Sequence, residues 1–477
     1  MNLVEEMKQE NNTIRTTNGA VARASTLNKV YDLFALGAAY RTRAESDCVL
    51  LFTDAYNEDP DLAIKCLTYL RDIAEGQGER RFFRVCLKWL GINQPDVIKR
   101  NIMNWVAGNY IRWDDLFVLF GTRAEKTVVN YIQKQLVEDM SIYNSKPNGA
   151  VSLCAKWLPS ENTSSVETRR RARHIIQALG LAPREYRKML SMLRERINVV
   201  ERLMSLNRWE EIDFSKLPSR AGLIYRNAFK NKGVIAEKYR EFAQDKDTKV
   251  NAKTLYPYDV VLAARKVRGS DLNDTERLMV NKYWDNLTDY FNGATLNAMV
   301  VCDTSGSMTW GGDSAVKPID VAISLALYTA ERANGPFKNH YISFSSRPQL
   351  IETKGIDFCD KVKRIYDTNL CENTNLEGVF NLIMYTAGRY NLSQKDIPET
   401  LVIVSDMQID DALGYGGWRN PKTFKETGAT TMQLIRDKWE RSFRGRCKFP
   451  KLIYWNVNAP QNTFLDDPKS GISFVSG

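Results

Sequence analysis

Val300-Val301-Cys302-Asp303-Thr304-Ser305-Gly306-Ser307-Met308 reads as a strand that runs into a loop. Three apolar residues in succession mark a strand buried on both faces, as the inner strands of parallel sheets are. The loop then places oxygen-bearing side chains at alternate positions, Asp303, Ser305 and Ser307. Gly306 lets the backbone turn tightly enough for both hydroxyls to face one point. One carboxylate and two hydroxyls suit a hard divalent cation, which takes oxygen ligands; Mg²⁺ completes its octahedron with water. The bland alternative is a Ser/Gly-rich turn after a core strand.

Two later stretches extend the pattern. Leu401-Val402-Ile403-Val404-Ser405-Asp406 is a second apolar strand that ends in an acid. Thr374 and Asn375 precede Leu376, Val379, Phe380, Leu382 and Ile383, which fall on one helix face, so Thr374 stands where a loop enters a helix. Open α/β sheets hold ligands outside the carboxyl ends of their strands, where all three loops would lie. Asp303, Ser305 and Ser307 resemble the D-x-S-x-S element of von Willebrand factor A domains, the metal-ion-dependent adhesion site. The resemblance implies a site for Mg²⁺, or for Mn²⁺ or Ca²⁺. In it Asp303, Ser305 and Ser307 are ligands, Thr374 is the fourth, and Asp406 acts through water. Cys371-Glu372-Asn373 stands where the family often has glycine, and Glu372 could add a carboxylate. A helix over 318–334 and strands over 341–344, 452–457 and 472–475 complete a doubly wound α/β reading for 294–477. Relatives usually continue into a closing helix, so past Gly477 that helix is expected to be missing or its face covered by another chain.

A chain of 477 residues exceeds the size at which single cores stop growing. Its 43% hydrophobic and 26% charged residues are those of a soluble globular protein. No apolar run approaches the ~20 residues of a membrane span. The first residues are polar and acidic, unlike a secretory signal, and read as an arm over 1–24. The eight cysteines include no C-x-x-C pair and fit buried thiols in a reducing cytoplasm. The two histidines, His174 and His340, are too few and too far apart for a zinc site or a His-based triad. The net charge of +10 is uneven: residues 299–477 hold 21 basic and 20 acidic residues, residues 1–298 hold 46 and 37. A basic part attracts phosphate-bearing partners.

Residues 25–293 are helical in pattern almost throughout, with Gly, Pro and Asn as punctuation, which reads as helix pairs stacked in a HEAT-like ring or arc. Five stretches carry a second resemblance: Tyr69 to Arg81, Arg112 to Phe117, Cys154 to Ser160, Asn198 to Glu201, and Trp209 to Phe214. They resemble TROVE-like proteins, in which helical repeats precede a von Willebrand A domain and whose architectural relatives are the Ro RNA-binding autoantigens. The resemblance implies a small or structured RNA as partner. The residues that would meet it are Arg80, Arg81 and Arg84, then Lys156, Arg169, Arg170, Arg171, Arg173 and His174, then Arg187 and Lys188. Arginine suits bidentate phosphate contacts, and Trp157 and Tyr186 are placed to stack bases. The competing reading is a solvated helix face with acids at i to i+4, such as Glu167 with Arg171. The Gly-Gln-Gly-Glu-Arg segment lacks the Lys-Ser/Thr of a phosphate loop and reads as a helix link.

Three functions stay open. The first is a non-enzymatic RNA-binding protein with a metal-binding domain. The second is a scaffold whose metal captures an acidic partner residue. The third, a metal-assisted phosphohydrolase, is weakest, because such sites use two metals and several carboxylates.

Overall fold

The computed structural model describes residues 3–197, 199–294, 297–310, 316–344, 347–367, 374–409, 431–465 and 471–477. Its first strands, β1 (Thr13–Arg15) and β2 (Val21–Arg23), pair as an antiparallel hairpin. The expected N-terminal arm is therefore structured: the helix Leu3–Asn11 leads into this hairpin. The other strands are β3 (Ala298–Asp303), β4 (His340–Phe344), β5 (Gln349–Glu352), β6 (Thr400–Ser405), β7 (Lys451–Asn456) and β8 (Ile472–Ser476). They form one six-stranded sheet in the order β5-β4-β3-β6-β7-β8.

All six residues of β3 are buried, as the continuous apolar run requires of a strand with a parallel neighbour on each side. β4, β6, β7 and β8 continue the parallel pairing, whereas β5 runs antiparallel to β4. Sequence patterning did not foresee β5. Only four residues separate it from β4, and a parallel crossover needs about a dozen or more. From β3 the chain passes first to β4 on one side, then to β6, β7 and β8 on the other. The order reverses between β3 and β6, and an open sheet offers a crevice at such a point.

Contacts divide the described chain into two compact units that do not follow chain order. One comprises Met1–Ala63, Pro218–Lys230 and Tyr239–Gly477; the other comprises Ile64–Leu217 and Asn231–Lys238. Sequence reading instead drew a single line near residue 293, where helical periodicity ends.

The first unit contains the sheet. The helix Pro318–Arg332 packs on β3, β4 and β6, and the helix Leu376–Arg389 packs on β4 and on the helix Thr431–Phe443. The helix Lys29–Leu36 packs on β8, where the Tyr31 hydroxyl accepts from the Phe474 amide at 3.0 Å. The helices Pro257–Ala264 and Thr275–Asp285 also belong here. Arg277 grips Asp357 with two bonds of 2.7 Å, and Arg265 reaches Asp320 at 2.6 Å. The Trp284 ring stacks on Phe358 at 3.9 Å.

The second unit is helical. Its elements include Arg81–Asn93, Pro95–Ala107, Glu125–Ser145, Val166–Ala178 and Pro183–Ile197. Its core holds Phe82, Phe83, Leu87, Leu90, Ile98, Ile132, Ile175 and Tyr186. Side chains of this size contribute roughly 1.5–3 kcal/mol each on burial. Inside that core Arg71 pairs with Asp115 at 2.7 Å, and Arg84 meets the same carboxylate at 2.7 Å. Among the described residues, no helix is long and apolar enough to cross a membrane.

Candidate functional site

Parallel pairing of β3 with β6 puts Cys302 opposite Val404, so Asp303 and Asp406 emerge beside each other at the strand ends. Asp303 is wholly buried and Asp406 is 1% exposed. Asp303 accepts from the Ser305 amide at 2.9 Å and from the Ser405 hydroxyl at 2.5 Å. The Ser305 and Ser307 hydroxyls lie 3.1 Å apart, and Ser307 hydrogen-bonds the Asp406 carboxylate. Asp406 also accepts from the Gln408 amide at 3.1 Å. Met407, with φ at +63°, turns the chain sharply between them.

Thr374 is fully buried, just ahead of the helix Leu376–Arg389, whose N-cap Asn375 accepts from the Gly378 amide at 2.7 Å. The Thr374 hydroxyl donates to the Gln408 carbonyl at 2.8 Å. All five residues expected from the sequence therefore stand in one linked network. Glu372, with Cys371 and Asn373, lies outside the described residues.

Burial pushes the Asp303 carboxyl above the usual range, and the facing Asp406 pushes it further. Burial raises Asp406 as well, against its hydrogen bond from Ser307. Among the described residues neither carboxylate has an ion-pair partner. Two buried carboxylates side by side are costly without a counter-charge. The atoms around them are carboxylate and hydroxyl oxygens. That donor set suits a hard oxygen-seeking cation better than zinc.

Sequence reading missed three members of the site. Ser405 joins the two strand ends by donating to Asp303 and accepting from the Met407 amide at 3.0 Å. A polar residue closing an apolar strand was its signal. Gln408 is 4% exposed; its side-chain oxygen accepts from the Thr17 amide and from Gln461, both at 2.9 Å, and its amide nitrogen has no partner among the described residues. Asn18, at the tip of the β1–β2 hairpin, donates to Thr374 at 3.1 Å and to the Gln408 carbonyl at 2.7 Å. Nothing local in the sequence signals a contact across 356 positions.

The basic residues divide differently. Arg84 is committed to Asp114 and Asp115. Arg171 pairs with Glu167 at 2.8 Å, Arg187 with Glu161 at 2.6 Å, and His174 with Glu125 at 2.8 Å. Arg169 donates to the carbonyls of Thr163 and Ser164. For these, local pairing accounts for the charge. Tyr186 is buried, with its hydroxyl on the Pro159 carbonyl, and offers no ring face to a base. The Arg112 guanidinium covers Trp157 at 4.2 Å, and Lys156 approaches the same ring. Arg81 is exposed at the start of its helix. Arg170, Arg173 and Lys188, with Arg184, are exposed and have no acidic partner among the described residues. Arg80 is likewise exposed; burial of its inner part, then the guanidinium groups of Arg112, Arg84 and Arg71, lower its pKa.

Two protein families described as domains of unknown function match the chain: DUF2828 over residues 16–115 and 166–294, and DUF7788 over residues 297–477. The Ro (RSR) protein of Deinococcus radiodurans aligns with 94% of this chain and 96% of its own, at 12% identity and a TM-score of 0.38. Over 502 residues, 96% of this chain and 82% of the relative, the protein is 29% identical to the uncharacterized protein L728 of Acanthamoeba polyphaga mimivirus.

Proposed function

We propose that the chain is a non-enzymatic RNA-binding protein whose sheet-bearing unit also holds a divalent cation. One observation carries the RNA reading. The helical unit has 28 Lys and Arg against 18 Asp and Glu, a net of +10, and the sheet-bearing unit has 39 of each. The whole excess charge of the molecule therefore lies on one unit, as electrostatic recognition of a polyanion requires. The resemblance of that unit to TROVE-like proteins selects RNA among polyanions. The exposed, unpaired Arg170, Arg173, Arg184 and Lys188 are the residues to meet phosphates. The cation belongs to Asp303, Ser305, Ser307 and Thr374, with Asp406 behind them. Mg²⁺ is the first choice for so compact an oxygen set.

A single titration series tests both parts. Full-length chain is bound to a labelled single-stranded RNA over a range of salt. Replacing Arg170, Arg173, Arg184 and Lys188 with Ser lowers the slope of log affinity against log salt by about 3, since each phosphate contact contributes about 0.7. EDTA leaves RNA affinity nearly unchanged. Asp303→Ala abolishes Mg²⁺ uptake in calorimetry. An unaltered salt slope in the fourfold variant sinks the RNA assignment, and undiminished Mg²⁺ affinity in Asp303→Ala sinks the metal site.

A second reading has its own support. Next to the strand-end carboxylates, the buried Gln408 amide nitrogen has no acceptor among the described residues. A partner carboxylate that gives one oxygen to the cation could give the other to this donor. Under that reading a protein ligand is released by EDTA.

A further inference from the structure

Segments 71–84, 112–115 and 156–157 of the helical unit converge on two aspartates. Asp115 is wholly buried and takes Arg71 at 2.7 Å, Arg84 at 2.7 Å and the Arg112 backbone amide at 2.9 Å. Asp114 takes Arg84 at 2.7 Å and the Arg112 Nη2 at 3.0 Å. Three guanidinium groups thus share two carboxylates. The Arg112 Nη1 has no acceptor among the described residues. The same guanidinium lies over the Trp157 ring at 4.2 Å, and the Lys156 ammonium lies 5.4 Å from that ring's centre.

Arg80 stands one helical turn before Arg84, whose amide donates to the Arg80 carbonyl at 3.0 Å, so the two side chains share a face. Neither Arg80 nor Lys156 has an acidic partner among the described residues. Glu79, the acid next to Arg80, is spent on the helix start, where it accepts from the amides of Arg81 and Phe82 at 2.8 and 3.1 Å. Five basic side chains therefore stand around two carboxylates, and three positive charges are left over. Burial, then the fields of Arg112, Arg84 and Arg71, lower the pKa of Arg80, as crowding of like charges does.

This surplus selects a ligand. A phosphodiester inside an RNA strand carries one negative charge. A terminal phosphomonoester carries about 1.5 to 2 at pH 7 and has three strong acceptor oxygens. Guanidinium forks match such oxygens two at a time, and an ammonium meets them as a point charge. Asp114 and Trp157 already hold Arg112 from two sides, which lowers the cost of ordering it on binding. We propose that Arg80, Arg112 and Lys156 form a site for the terminal phosphate of an RNA strand, with Asp114, Asp115 and Trp157 as its frame. The proposal rests on the RNA reading given above and adds to it a preference for phosphorylated ends.

The test uses the full-length chain and a short labelled single-stranded RNA that carries a 5′-phosphate, a 3′-phosphate or hydroxyls at both ends. The wild type is expected to bind a phosphorylated form about 10-fold more tightly than the hydroxyl form, the gain of about one charge-assisted hydrogen bond. Arg80→Gln and Lys156→Gln, neither of which breaks an ion pair, are each expected to reduce that preference, and the double variant to abolish it. A merely structural role lowers affinity for every form alike and leaves the preference intact in the double variant, which overturns the proposal. Replacing Arg170, Arg173, Arg184 and Lys188 with Ser is expected to weaken all forms and keep the preference. Inorganic phosphate and a 5′-mononucleotide serve as competitors. If either displaces the phosphorylated RNA at the RNA's own concentration, the site belongs to a free phosphate compound and the proposal is overturned. If the wild type binds all three RNAs equally, the proposal fails while the RNA reading stands. If it binds none of them, both fall.

Discussion

At Asp115 two opposing effects meet in one carboxylate. Burial raises its pKa; Arg71, the backbone amide of Arg112 and Arg84 outweigh that and hold the carboxyl below the usual range. Removing the carboxylate leaves the buried Arg71 guanidinium unpaired, so Asp115→Ala is expected to destabilise the protein by about 3–5 kcal/mol in denaturant titration. The sign of the pH dependence follows. A depressed acid stabilises the fold above its unfolded pKa of about 3.9 and loses that contribution as pH falls through the folded value. Wild-type stability is therefore expected to fall below about pH 4, and Asp115→Ala to fall less steeply. Sequence reading had assigned Arg84 to RNA. Its acids lie 30 and 31 positions away, beyond the reach of an i to i+4 rule, whereas Glu167 with Arg171 lay within it. Asp303 and Asp406 were legible because each closes an apolar run, which fixes its place in the sheet before any contact is known.

Among elements, the helix Pro318–Arg332 and the strands β4, β7 and β8 fell within a few residues of expectation, since parallel strands and amphipathic helices announce themselves by period, whereas β5 and the N-terminal hairpin did not. What failed was allocation. The helix Thr275–Asp285 has the periodicity of its helical predecessors, yet it packs with the helices Pro257–Ala264 and Phe358–Asp367 of the sheet-bearing unit. Its start depends on Asp274, which accepts from the amides of Glu276 and Arg277 and receives Lys230 at 2.5 Å. Asp274→Ala is expected to cost about 1 kcal/mol, the typical value of an N-cap, read from the melting transition. Because Arg277 and Asn281 on this helix both hold Asp357, the loss should also raise amide exchange at the start of the helix Phe358–Asp367. Periodicity describes which face of a helix is buried and is silent about what buries it.

For the molecule as a whole, the partition of charge and the partition of contacts coincide: a neutral unit with the sheet, and a helical unit with all the excess positive charge. The line near residue 293 blurred this, because it counted residues 25–63, 218–230 and 239–293 with the helical part and set 1–24 apart as an arm. Those segments supply the helix on β8, the hairpin on the candidate cation site, and the Arg277 and Arg265 anchors. A fragment of residues 294–477 is therefore expected to lack a cooperative melting transition and to aggregate on size exclusion. A fragment that melts cooperatively as a monomer would show those contacts to be dispensable.

The helix Lys29–Leu36 and the strand β8 are among the first and last elements of the chain, yet each covers the other. On the ribosome they are made far apart in time. At about 5–20 residues per second, this helix waits roughly 20–90 s for its partner strand. The helical unit, encoded almost wholly between them, has its residues complete first and can close while the side of the helix that meets β8 is still uncovered. A nascent chain in that state presents a short sticky helix to whatever is near, and slowing translation between the helix and β8 would lengthen the interval in which a holding chaperone is needed.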